Sequence, residues 1–213
     1  MIHAYNEVYL SDARRTLANS MDYAVHTLGY SLEEYYKMFV QSDIAYRFAN
    51  GDPFYISGCS GIELALSVVE KNTGRYEYKE RLYGPGKSKE YWTGWAIAYY
   101  QWHCGCDFLR LEKEIPISTV FLMYDKYHEM DITHFVNRMD ELRQAVRARS
   151  YLKLLREKMG YSQSELSKLT DIPLKTLQHY EQGDKDLSKA NVGYVLRLSK
   201  VLECDIEEMI ENK

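Results

Sequence analysis

Proline and cysteine are scarce, at 4 each in 213 residues, and glycine numbers only 12. So little proline and glycine excludes a collagen-like or low-complexity chain, and a hydrophobic share of 46% excludes disorder over most of the length. Four scattered cysteines (Cys59, Cys104, Cys106, Cys204) do not make a disulfide-stapled scaffold, so reduced thiols are expected. Long apolar runs are missing too. The best of them, Ile115 to Tyr124, is half the roughly 20 residues needed to cross a bilayer and contains Pro116, Ser118 and Thr119. Glu7 and Asp12 occupy the stretch where a signal peptide would be apolar, which sets the expectation of a cytoplasmic protein with no membrane partner. The length suits one large domain or two small ones.

A basic excess is also absent overall, since the net charge is −4, and this argues against indiscriminate nucleic-acid binding by the whole molecule. The charge is nonetheless uneven. Residues 147–200 hold 11 Lys and Arg against 6 Asp and Glu, whereas residues 201–212 hold five acids and no base. Aromatic residues are uneven as well: all three Trp and most of the 20 Tyr precede position 146, and only Tyr151, Tyr161, Tyr180 and Tyr194 follow it. The shift places a domain boundary near Gln144 to Ser150, giving domains 1–145 and 147–213, joined by a helix because that stretch lacks Pro and Gly.

What the first half contains is helical periodicity. Ala13, Leu17, Ala24 and Leu28 share one helix face, with Gly29 placed to end it. Ser31-Leu32-Glu33-Glu34 and Ser60-Gly61-Ile62-Glu63 are capping boxes that open further helices. Between them Gly51-Asp52-Pro53 is a turn, and Phe54-Tyr55-Ile56 is long enough only for an edge strand. Trp92, Trp95, Tyr99 and Trp102 recur at spacings of three and four. They are either an association surface, where aromatic residues give large contact area, or the core of the domain. Val120 to Tyr127 and Ile132 to Val146, the latter after an Asp131 cap, complete an all-α reading.

Two motifs fail on inspection. Gly84-Pro85-Gly86-Lys87-Ser88 has the ending of a phosphate-binding loop, but Arg81 stands where the first glycine is required and no apolar strand leads in, so it reads as a turn. His103-Cys104-Gly105-Cys106 lacks the second ligand pair of a structural zinc site. No catalytic set can be singled out, so no enzymatic activity, metal or cofactor is expected.

Residues 150–210 carry concordant local signals for five short helices. Leu152 and Leu155 line a basic helix with Lys153, Arg156 and Lys158, ended by Gly160. Ser162-Gln163-Ser164-Glu165 is a third capping box, opening a helix with Leu166 and Leu169 inward. After a tight Thr170-Asp171-Ile172 turn, Pro173 starts a helix to about Glu181 whose Leu177 and Tyr180 face the core and which Gly183 stops. A fourth helix begins at Ser188 and carries Val192, Val195, Leu198, Val201 and Leu202; Asp205 and Glu208 cap a fifth. The pattern Leu152-x-x-Leu155-Arg156-x-x-x-x-Gly160-x-Ser162-Gln163-x-Glu165-Leu166, then Ile172, Tyr180-Glu181-x-Gly183 and Leu198-x-x-Val201-Leu202, resembles the Cro/C1-type (XRE-family) helix-turn-helix domain of repressors.

That resemblance implies double-stranded DNA as partner, with the third helix in the major groove. Carried over, Leu174, Lys175, Gln178 and His179 lie on the groove-facing side as base-contacting residues, and Gln163, Thr176 and Lys185 reach phosphates. The periodicity agrees, because burial of Leu177 and Tyr180 leaves Lys175, Gln178 and His179 on the opposite face. Three positions depart from the pattern: Asp171 stands for the usual turn glycine, Pro173 for a capping Ser or Thr, and Glu203 for a glycine after the fourth helix.

In the first half, Gly51-Asp52-Pro53-Phe54-Tyr55-Ile56-Ser57-Gly58-Cys59-Ser60-Gly61-Ile62-Glu63-Leu64 and Tyr91-Trp92-Thr93-Gly94-Trp95 resemble regulators and antitoxins encoded beside toxin-like genes. The chain thus reads as a homodimeric transcriptional repressor whose residues 1–145 sense or dimerise. The alternative is an antitoxin that holds a toxin through residues 1–145 and autoregulates through the DNA reader.

Overall fold

The computed structural model describes residues 3–81, 88–182 and 185–211. The fold is all-α, and no strand occurs among the described residues. Two compact units divide the chain, Met1–Met139 and Asp140–Lys213. The first contains α1 (Leu10–Tyr23), α2 (Leu32–Gln41), α3 (Asp43–Ala49), α4 (Gly61–Thr73), α5 (Lys89–Cys104), α6 (Phe108–Glu114), α7 (Ile117–Leu122) and α8 (Tyr124–Tyr127). The division falls inside α9 (Ile132–Lys158), which runs without a break through the stretch expected to join the two domains as a helix. The second unit continues with α10 (Gln163–Thr170), α11 (Leu174–Gln182), α12 (Val192–Leu202) and α13 (Ile206–Glu211).

Short polar side chains start these helices. Ser31 Oγ accepts from the Glu34 amide and Glu34 Oε2 accepts from the Ser31 amide at 2.8 Å; Ser60 and Glu63 repeat the exchange. The amides hold both carboxyls below the usual glutamate range. α1 ends in a π turn, Ala24–Leu28, closed by Gly29 at φ 86°, which a side chain would strain.

α1 and α5 are the crossing pair around which the first unit is built. A Cβ on Gly94 would stand 2.8 Å from the Leu17 carbonyl and 2.9 Å from Ala18 Cα, so only glycine permits the approach. α5 is consequently enclosed on most of its circumference. Trp92 and Trp102 are buried; Trp92 meets Tyr124 and Phe135 edge to face, and Trp102 donates from Nε1 to the Tyr5 carbonyl at 2.8 Å. Of the two alternatives for these two tryptophans, the core holds and the association surface does not. Trp95 and Tyr99 are half-buried beneath the Arg14 guanidinium of α1, which lies 3.3 Å from the Trp95 ring centroid and 4.7 Å from that of Tyr99. Desolvation pushes the Arg14 pKa down to about 10.

Two local expectations fail for identifiable reasons. Phe54–Gly58 is a π turn rather than an edge strand: Pro53 has helical φ of −55°, and Asp52 Oδ1 accepts from the Phe54 amide at 3.0 Å. The helix expected over Val120–Tyr127 is instead split at Met123, whose amide closes back on Val120. Ser88 caps α5 by accepting from the Tyr91 amide at 2.9 Å, while the turn assigned to Gly84-Pro85-Gly86-Lys87 lies outside the described residues.

The second unit packs Leu152 and Leu155 of α9 against Leu166, Leu177, Tyr180, Leu198 and Leu202. Leu169, expected inward, is 55% exposed; Thr170 is buried in its stead, its hydroxyl satisfied by the Leu166 carbonyl at 2.6 Å. The fourth helix starts later than Ser188. Leu187–Lys189 is a 3₁₀ turn capped by Asp186, with Leu187 as its buried anchor, and Asn191 caps α12, which leaves Val192 71% exposed. Asp171 and Glu203 both adopt left-handed conformations, at φ 50° and 51°. Gly183 and the side chain of Glu208 lie outside the described residues.

Candidate nucleic-acid interface

α10, the Asp171 turn and α11 form the candidate interface. The Ser162–Glu165 capping box opens α10, with Ser162 accepting from the Glu165 amide and Glu165 Oε2 accepting from Ser162 at 2.7 Å. The turn is closed on its inner side by the Ser167 hydroxyl, which donates to the Ile172 carbonyl at 2.6 Å. Pro173 then serves as a helix opener: its carbonyl accepts from Thr176 at 2.8 Å and from Leu177 at 3.0 Å. The hydroxyl lost with proline is thus not missed by the fold.

With Leu177 and Tyr180 buried, α11 presents Lys175 to solvent, Leu174 at 38% exposure, and Gln178 and His179 half-buried. These are the four residues expected to face bases. Of the three expected to reach phosphate, Lys185 is exposed just beyond α11, whereas Thr176 and Gln163 are half-buried. Lys175 and Lys185 have no acidic partner among the described residues, so their charges are available to a polyanion.

Gln163 is not loose. Its Nε2 donates to Glu181 Oε2 at 2.7 Å, and its Oε1 accepts from Gln178 Nε2 at 3.3 Å. The first residue of α10 is thereby tied to the exposed face of α11. Glu181 in turn binds Arg156 through two bonds, Nε to Oε1 at 2.6 Å and Nη2 to Oε2 at 3.2 Å, with both side chains buried. Arg156 Nη1 also donates to the Tyr161 carbonyl at 2.7 Å. This chain from α9 through α11 to α10 was not foreseen from the sequence, where Arg156 figures only as one of the bases of its helix. The only signal for it was an acid, Glu181, beside the buried Tyr180 on α11, and its partner lies 25 residues away. Arg156 is paired with Glu181 and, at 3.6 Å, with Glu157, so it contributes no free charge to the surface; the Glu181 carboxylate beside it raises its pKa.

The helix-turn-helix family matches residues 152–209. Residues 152–209 form a helix-turn-helix domain of the Cro/C1 type. The domain is a DNA-binding regulatory module, and α10 and α11 are its two central helices. Comparison with curated proteins and with solved structures yields no match. No helix among the described residues is long and apolar enough to cross a membrane, and no group of three or more His, Cys, Asp and Glu could hold a metal ion there.

Proposed function

We propose that the protein is a sequence-specific transcriptional repressor that inserts α11 into the major groove and acts as a homodimer. The observation that carries this reading is the pairing of a tied Gln163–Gln178 contact with unpaired Lys175 and Lys185 on the exposed side of the helix-turn-helix domain. Leu174, Lys175, Gln178 and His179 read base edges: lysine donates to guanine O6 and N7, glutamine pairs with adenine, and leucine packs on a thymine methyl. Gln163, Thr176 and Lys185 hold the phosphates. One such reader spans few base pairs, and two copies about one helical turn apart gain affinity and selectivity.

Residues 1–145 supply the association, from a surface other than Trp92 and Trp102, and residues 147–213 read DNA. The test is sedimentation of the full chain and of residues 147–213, each with and without a duplex selected from a random pool by the full chain. The expected result is a two-copy complex for the full chain and weaker, salt-sensitive one-copy binding for the fragment. No sequence enrichment in the selection sinks the reading. A stoichiometric protein retained by the full chain, with a single copy on DNA, assigns residues 1–145 to toxin capture.

A further inference from the structure

A cleft of about 320 Å³ lies within the first unit, between the end of α1, the end of α4 and the segment that follows α4. Leu28, Tyr30 and Val69 are its apolar lining, and Thr73, Arg75, Glu77 and Lys79 its polar lining. The volume is at the small end of the range of about 300–1,000 Å³ in which pockets hold small molecules. The three charged residues alternate with Tyr76 and Tyr78, which do not line the cleft and are exposed. That alternation is the one an extended backbone imposes.

The segment is fastened at both ends. At its start the Gly74 amide donates to the Glu70 carbonyl at 2.7 Å. At its far end Tyr23 Oη donates to the Lys79 carbonyl at 2.6 Å and accepts from the Lys79 amide at 3.0 Å, and Arg81 pairs with buried Asp22. Between these anchors the backbone of residues 76–78 makes no hydrogen bond to a described residue. Past the Arg75 amide, which donates to Thr73 Oγ1 at 3.3 Å, the Arg75 guanidinium, the Glu77 carboxylate and the Lys79 ammonium have no ion pair or hydrogen bond among the described residues. All three side chains are exposed, so two cations and one anion stand beside the apolar lining with one surplus positive charge that no described residue pairs.

We propose that this cleft binds a small monocarboxylate with an apolar body, the body against Leu28, Tyr30 and Val69 and the carboxylate between Arg75 and Lys79. Glu77 stands between the two cations and rejects ligands that carry a second negative charge. The site belongs to the first unit alone and is independent of DNA reading.

Calorimetric titration of the full chain with phenylbutyrate tests the assignment, with phenylbutanol and phenylbutylamine as the neutral and cationic counterparts. Phenylbutyrate is expected to bind, with phenylbutanol about tenfold weaker and phenylbutylamine weaker still. Replacing both Arg75→Ala and Lys79→Ala should weaken phenylbutyrate by about tenfold, while Tyr76→Ala with Tyr78→Ala should leave it unchanged. Glu77→Gln should strengthen phenylbutyrate binding about threefold, a gain that an unfolded variant cannot imitate. Equal affinity for phenylbutanol, indifference to the charge variants, or no heat with phenylbutyrate up to about 10 mM would overturn the proposal.

Discussion

Each unit of the molecule keeps an arginine out of water, and the two do so by different means. In the first unit Arg14 lies over the faces of Trp95 and Tyr99, with only tyrosines near enough to act on its charge, and desolvation lowers its pKa to about 10. In the second, Arg156 meets Glu181 through two hydrogen bonds and its pKa rises. The difference concerns what each charge organises. A π face attracts a cation without fixing its direction closely, whereas a carboxylate fork sets both partners and leaves lone pairs for a third group. Glu181 uses that spare capacity on Gln163, so the ion pair aligns two helices of the DNA reader. Arg14 covers aromatic surface and aligns nothing comparable.

The sharpest break of this comparison removes each arginine in turn. Arg156→Ala leaves Glu181 buried without its partner and should cost about 3–5 kcal/mol, enough to unfold a small domain. Arg156→Met combined with Glu181→Leu should cost less than Arg156→Ala alone, because no stranded charge remains. Arg14→Met should cost less than about 1 kcal/mol, since it exchanges a cation–π contact for a relieved desolvation penalty. Chemical denaturation followed by circular dichroism ranks the variants, and equal losses for Arg14→Met and Arg156→Ala would contradict the distinction.

Packing distinguishes the units next. The first closes α1 on α5 through Gly94, and even one methyl group there must push the Leu17 carbonyl and Ala18 Cα away. Gly94→Ala should destabilise by about 1–3 kcal/mol despite alanine's better helix propensity. A melting temperature at or above that of the parent would show that α1 yields freely.

These cases also mark what was legible in the sequence. The three capping boxes, the Gly29 and Gly160 ends and the Asp171 turn could be read because each is decided within four or five residues. Trp92 and Trp102 could not be assigned to core or surface by spacing. A helix enclosed on most sides has no single buried stripe, and α5 is such a helix. The Arg156–Glu181–Gln163 chain joins positions 18 and 25 residues apart, beyond the reach of any local pattern. Leu169 and Val192 failed for a smaller reason: a satisfied Thr170 and a 3₁₀ turn moved burial by one position and a helix start by four.

Within the reader, the comparison is between free and tied polar groups. Lys175→Ala should relax preference at one base position, by about 1–3 kcal/mol between right and wrong base, while Lys185→Ala should weaken all sequences alike and lower the salt slope by about one. Gln163→Ala should weaken every duplex and also loosen the α10–α11 contact, because it removes the bonds to Glu181 and Gln178. Selection and salt titration of the full-length variants separate these effects. Uniform weakening by Lys175→Ala would move that residue from base to phosphate.

The smallest expected effect concerns the two left-handed residues, and here too the units differ: among the described residues all non-glycine examples lie in the second. Glu203 closes α12 at φ 51° and ψ 44°, its amide donating to the Ser199 carbonyl, and the Cys204 amide returns to the same carbonyl at 3.2 Å. Its side chain is exposed and engages no described residue. The conformation crowds Cβ against the following carbonyl, a cost that glycine escapes. Glu203→Gly should therefore stabilise the domain by at most about 1 kcal/mol, the unfolded chain's gain in freedom offsetting part of the relief. Asp171→Gly should gain less, because aspartate tolerates this region better and its carboxylate stands 3.7 Å from Arg197. Hydrogen exchange of the amides near residues 199–204 in the full chain reads the first change and that of α10 and α11 the second. Slower exchange for Glu203→Gly than for Asp171→Gly is the expected order, and faster exchange than in the parent would mean that the glutamate's own conformation is not strained.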